Sequence, residues 1–157
     1  MNSLFARSAL AFLALPGIVA YLVPWLLLDS GRADGTLASW GAIPLGLGTV
    51  LLLWCAWDFY RLGHGTLGPW EPPKTLVVRG LYRFSRNPMY IAVVLILWGW
   101  ALACRSRPVA IYALSVMAAF HLRVVYNEEP FLARTHGDDW ERYKARVPRW
   151  VGFPRQA

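Results

Sequence analysis

Four apolar stretches dominate this chain and decide what it can become. They run from about Ser8 to Leu28, from Ala38 to Trp57, from Pro88 to Cys104 and from about Pro108 to Val125. A membrane-crossing helix needs about 20 mostly apolar residues, with about 17 tolerated. The first two stretches meet that length, and the second carries no charge. The third and fourth are shorter and must recruit flanking residues. The expected fold class is an all-α integral membrane protein with about four transmembrane helices, a cytoplasmic connecting loop and a short amphipathic C-terminal helix.

Composition agrees. Of the residues, 57% are hydrophobic and only 16% charged, where a soluble domain carries about 25% charged residues. One membrane domain over residues 1–157 is expected: residues 1–62 hold the first two helices, and residues 63–157 hold the other two, the loop and the tail. The first stretch is too long for a signal peptide and lacks a convincing cleavage site, so a retained helix with bends at Pro16 and Pro24 is expected.

The positions of the sixteen lysines and arginines set the orientation. Arg7 precedes the first stretch, and Arg32 lies between the first and second. The connection after the second carries Arg61, Lys74, Arg79, Arg83 and Arg86. Arg105 and Arg107 separate the third and fourth stretches, and the remaining seven begin at Arg123 and run through the tail. Positive residues gather on the cytoplasmic side of membrane proteins, so both termini are expected in the cytoplasm. The net charge of +7 is spent on that face, and no basic surface with stacking aromatics is left free of the bilayer for nucleic acid. With this topology Cys55 falls near the inner end of its helix and Cys104 near the outer end, so they are not expected to pair.

Two segments carry candidate chemistry. In the first, Arg79 to Tyr90, Pro88 opens the third stretch; proline suits the first turn of a helix, whose free N–H groups and partial positive charge favour an anion. Arg79, Arg83, Arg86, Tyr82 and Tyr90 are equally the residues an ordinary membrane anchor would use. In the second, His121 to Pro130, ionisable residues lie at or near membrane depth, where they are costly and face a cavity or a partner. Helical spacing puts His121 and Glu128 on one face and rotates Arg123 away. Glu128 and Glu129 oppose the helix dipole and call for either the basic loop, through Arg83 or Arg86, or a cationic ligand. The tail from His136 to Tyr143 reads as an amphipathic helix closed by Val147-Pro148. His64, His121 and His136 are scattered without ligand spacing, so no metal site is expected.

The ordered set Gly80-x-Tyr82-x-x-x-Arg86-Asn87-Pro88-x-Tyr90, then Glu128-Glu129, then Gly137-x-x-Trp140-x-x-Tyr143-x-x-x-Val147-Pro148 resembles the isoprenylcysteine carboxyl methyltransferase family and the related phospholipid methyltransferases. The resemblance covers roughly residues 63–151. It implies S-adenosylmethionine as cofactor, bound at the cytoplasmic membrane surface. By position, Leu76, Val77, Val78, Tyr82, Asn87, Pro88, Met89, Tyr90 and Glu128 would line its pocket. His121 and Arg123 are the catalytic candidates, His121 as a base and Arg123 toward the acceptor. Asn87 stands where the family usually has His, and Arg123 precedes Glu128 by five residues rather than about four. The implied reaction is methyl transfer to a lipophilic or membrane-embedded acceptor, with the lipid bilayer as partner and a homo-oligomer as a further expectation. A membrane NADPH-dependent reductase of sterol-reductase type and a non-enzymatic membrane subunit are the competing readings.

Overall fold

The computed structural model describes residues 13–29, 39–62, 76 and 78–153. All regular structure among them is helical. Helix α1 begins as a wide π-helical stretch, Leu13–Leu22, and continues as α-helix over Val23–Asp29. Helix α2 spans Ser39–Leu62, α3 Pro88–Ala103 and α4 Arg107–Arg123. A π-helical turn, Val124–Glu128, carries α4 without a break into α5, Glu129–Arg146. Most of the expected connecting loop, residues 63–75 and Val77, lies outside the described residues.

Local chemistry explains the helix ends. Pro88 and Pro108 sit in the first turns of α3 and α4, where the missing N–H removes nothing the helix needs. Ser106 caps α4, its hydroxyl accepting from the Val109 N–H at 3.4 Å. Helix α5 ends at Arg146 because Val147 is extended (φ −112°, ψ 126°), as a residue before proline prefers. The expected short tail helix is therefore the second half of a longer one, bent at Gly137 (φ 49°).

The core is made by α2 packing antiparallel along α3. A Cβ added at Gly41 would lie 2.2 Å from the Ala103 nitrogen, one at Gly99 2.5 Å from the Leu45 nitrogen, and one at Gly48 2.7 Å from the Ala92 carbonyl. Small residues on both helices let the backbones close in, the arrangement by which helices associate where no hydrophobic effect separates them from lipid. Leu52, Ala92, Val93, Ile96, Leu97, Ala113 and Ala20 fill the centre. Helix α1 is tied on by polar contacts: Tyr21 with Thr49 Oγ1 at 2.7 Å, and Tyr112 donating to the Val19 carbonyl at 3.1 Å.

The outer surface is apolar. On α2, Trp40, Ile43, Leu47, Val50, Trp54 and Trp57 recur at alternating steps of three and four, each more than half exposed. A contiguous apolar face of this size needs a non-aqueous neighbour. Helix α2 (Trp40–Asp58) and the continuous helix from Arg107 are long and apolar enough to cross a membrane. The latter is apolar only as far as Val125 and polar beyond. Pro16–Leu28 and Pro88–Ala103 are apolar but shorter; the 16 residues of α3 rise about 24 Å against a hydrocarbon core of about 30 Å. The protein is a helical membrane protein.

Candidate functional site

The site forms at one end of the bundle, where the segment leading into α3 meets the α4–α5 junction and the tail. Before α3, Gly80–Arg83 make a single 3-10 turn, with the Tyr82 N–H on the Arg79 carbonyl at 3.2 Å. Gly80 has φ +60°, a conformation other residues enter only with strain. The tail then lies across this segment. The Arg86 N–H donates to the Pro148 carbonyl at 3.0 Å, and Asn87 Nδ2 donates to the Arg149 carbonyl at 3.0 Å. Ser85 Oγ reaches the same carbonyl at 3.4 Å. From α5, the buried Tyr143 hydroxyl donates to the Tyr82 carbonyl at 2.8 Å.

Tyr90, one turn into α3, donates its hydroxyl to Glu128 Oε1 and stacks its ring on Phe120 of α4, centroids 4.3 Å apart. The same Glu128 oxygen accepts from Arg123 Nε at 2.8 Å. This corrects the helical-wheel expectation that Arg123 points away from Glu128. Residues 124–128 are π-helical, and a π turn bonds i to i+5, so residues five apart come onto one face. The turn absorbs the extra residue between Arg123 and Glu128. His121 instead stacks on Trp150 of the tail, centroids 6.0 Å apart.

Glu129 faces the other way and anchors the tail. Arg86 Nη1 and Arg149 Nε both lie 2.8 Å from its Oε1, and Arg149 Nη2 lies 2.8 Å from its Oε2. Of the two explanations the sequence left open, the basic loop supplies counter-charge through Arg86, and the tail adds Arg149. Burial works against the Glu129 charge, but the Arg149 hydrogen bonds and the Arg86 and Arg149 charges outweigh it and hold the carboxyl below its ordinary range. Burial lowers the Arg86 guanidinium, partly offset by Glu129; its Cζ lies 5.4 Å from the Trp140 ring centroid.

This geometry joins residues far apart in sequence through Tyr90–Glu128, Arg86–Glu129 and Asn87–Arg149, and the family comparison covers all of these but Arg149. The phospholipid methyltransferase family model matches residues 37–139. The chain belongs to that family. It is also similar to the cobalt-zinc-cadmium resistance protein CzcN of Cupriavidus metallidurans, 29% identical over 143 residues that cover 88% of this chain. The chain spans 61% of that relative's length. No solved structure matches it.

As a phospholipid methyltransferase family member, the chain places its expected cofactor-site residues as follows. Tyr82 is buried, its hydroxyl pushed up by burial first and then by Cys55, Tyr143, Asp58 and Tyr90 around it. Tyr90 and Glu128 are directly bonded. Pro88 is buried, and Met89 packs against the central core. Leu76 packs instead on the Trp140–Tyr143–Val147 cluster. Val78 is exposed, Val77 lies outside the described residues, and the Asn87 amide is committed to the tail. Sequence reasoning missed Arg149 and Phe120. Arg149 was one of six basic residues after the fourth stretch, and Phe120 one more apolar residue within it. It also passed over Asp58, the first charge after the uncharged second stretch.

Proposed function

We propose that the protein is an S-adenosylmethionine-dependent methyltransferase acting on a lipophilic or membrane-embedded acceptor at the cytoplasmic face. The observation that carries this reading is the Tyr90–Glu128 hydrogen bond, with Arg123 on the same oxygen. It brings the two motif segments of a methyltransferase family into one site at the end of the bundle. Four membrane crossings with both termini inside accord with the distribution of basic residues, and a homo-oligomer is compatible with the apolar outer face.

The residues present fit the cofactor's chemistry. It carries a sulfonium, an ammonium and a carboxylate; this end of the bundle offers aromatic faces at Tyr90 and Phe120, carboxylates, arginines and the start of α3. When bound, the cofactor supplies a methyl group that a nucleophile displaces from sulfur. The chain's part is then positioning and exclusion of water. Tyr82, Pro88 and Met89 form the buried side of the site, and Tyr90 fixes Glu128 in place. Arg123, half exposed at the bundle edge, is placed to meet an anionic part of the acceptor. An amine or thiol acceptor needs its proton removed, and His121 is the base we assign.

Calorimetry on the full chain with S-adenosylhomocysteine tests the reading. Binding to the native protein and a loss of about tenfold or more in Glu128→Ala is expected. No binding to the native chain overturns it. Incubation with radiolabelled methyl donor and membrane extract then identifies the acceptor.

A further inference from the structure

Asp58 stands at the foot of α2, on the face that buries Leu52 and Cys55 (1% and 0% exposed). Its Oδ2 is fully enclosed and has no hydrogen-bond partner among the described residues. A buried carboxylate oxygen without a partner is costly, so this position calls for a cation. The arginines bonded at this end are already committed: Arg123 to Glu128, Arg86 and Arg149 to Glu129. Glu128, the acid the sequence offered for a cationic ligand, has its charge compensated by Arg123. Among the described residues Asp58 has no such partner.

The turn before α3 is shaped around this carboxylate. A Cβ at Gly80 would come within 2.1 Å of Asp58 Oδ2, so the glycine lets the backbone lie directly against it. Two residues on is buried Tyr82, whose hydroxyl feels the charges of both Asp58 and Tyr90. Asp58 therefore adjoins the residues assigned to the cofactor, and it comes from the part of the chain outside the motif pattern.

We infer that Asp58 holds the α-ammonium group of the methyl donor, its carboxylate accepting the hydrogen bond beside the Gly80 backbone. This rests on the methyltransferase reading proposed above. It makes Asp58 a cofactor-binding residue contributed by α2, separate from the Tyr90–Glu128–Arg123 group.

The test uses the full chain in lipid nanodiscs, with S-adenosylhomocysteine and its analogue bearing hydrogen in place of the α-amino group. Asp58→Asn is expected to weaken S-adenosylhomocysteine about tenfold or more while leaving the deamino analogue within about twofold. The unliganded melting temperature should not fall, since an unpaired buried charge has been removed. Should Asp58→Asn fold poorly, Asp58→Glu decides through the ratio of the two affinities in the folded fraction: the native preference for the amino ligand should shrink. Equal binding of S-adenosylhomocysteine by native and variant proteins, or equal weakening of both ligands, overturns the assignment and leaves the cofactor reading standing. Failure of the native protein to bind S-adenosylhomocysteine overturns that reading itself, and this inference with it.

Discussion

Arg149 grips Glu129 with two parallel hydrogen bonds, Nε to Oε1 and Nη2 to Oε2, both at 2.8 Å. The paired geometry is the strongest an arginine and a carboxylate can form, and Arg86 adds a third bond to Oε1. Glu129 is 13% exposed and Arg86 9%, but Arg149 is 34% exposed. Removing the carboxylate leaves one guanidinium nearly buried without its partner. Glu129→Gln is therefore expected to destabilise the protein by about 2 kcal/mol, below the range for a fully buried pair. Denaturant unfolding checks the magnitude. Limited proteolysis should show cleavage after residue 146 rising in the variant before any cut in the helices.

The same carboxylate gives the tail a pH dependence. The folded state holds Glu129 below its ordinary pKa, so its stabilisation is present above the unfolded-state value of about 4.3 and is lost as pH falls through the folded value. Tail protection by hydrogen exchange should stay constant from neutral pH down to about pH 5 and drop below that. Glu129→Gln should give a flat profile at the lower level. Loss of protection in the native protein well above pH 5 would assign the transition to another group.

Tyr90 makes two contacts that one substitution separates. Tyr90→Phe keeps the ring on Phe120 and deletes the hydroxyl that Glu128 accepts. A half-buried hydrogen bond to a charged acceptor is worth about 1.5–3 kcal/mol, and Arg123 remains on Glu128. Stability should fall by about 1 kcal/mol, because the carboxylate keeps one partner. Affinity for S-adenosylhomocysteine should fall severalfold. Tyr90→Ala, which also removes the stack, should lose more of both. A Tyr90→Phe protein that binds the ligand like the native chain would show that Glu128 is held in place without Tyr90.

How far the sequence foretold this site depends on the range of the interaction. The apolar stretches, the proline at the start of α3 and the stop at Val147-Pro148 are local features, and α2 and α3 lie where they put them; the fourth stretch instead runs on without a break into the tail helix. The Arg86–Glu129 bond was legible as a choice between two partners, since adjacent carboxylates at a helix end need cations. Arg123–Glu128 was misread, because a wheel drawn at 3.6 residues per turn cannot anticipate a π turn over Val124–Glu128. Arg149 was invisible: its contact spans twenty residues and depends on the tail turning back after Val147. Asp58 and Gly80 meet only because α2 and the segment before α3 end at the same level, a fact of packing that no periodicity reports.

Packing along α2 yields a contrast between two glycines two residues apart. A Cβ at Gly48 would lie 2.7 Å from the Ala92 carbonyl and 2.8 Å from the Ile96 nitrogen, both of them backbone atoms that cannot step aside. A Cβ at Gly46 meets nothing within 4 Å and would join the exposed apolar face. In a helix interior alanine is favoured over glycine by about 1 kcal/mol, so Gly46→Ala should be neutral or raise stability by up to that amount. At Gly48 the same gain is overwhelmed, since overpacking costs about 1–3 kcal/mol and here requires α2 and α3 to separate. The separation would reach the site as well: α3 carries Pro88 and Tyr90, and α2 carries Asp58. Gly48→Ala should therefore lower both the melting temperature and ligand affinity, while Gly46→Ala lowers neither. Paired melting curves in the same lipid check the stability difference, and calorimetry checks the affinity. Equal behaviour of the two variants would mean that α2 and α3 do not pack glycine to backbone.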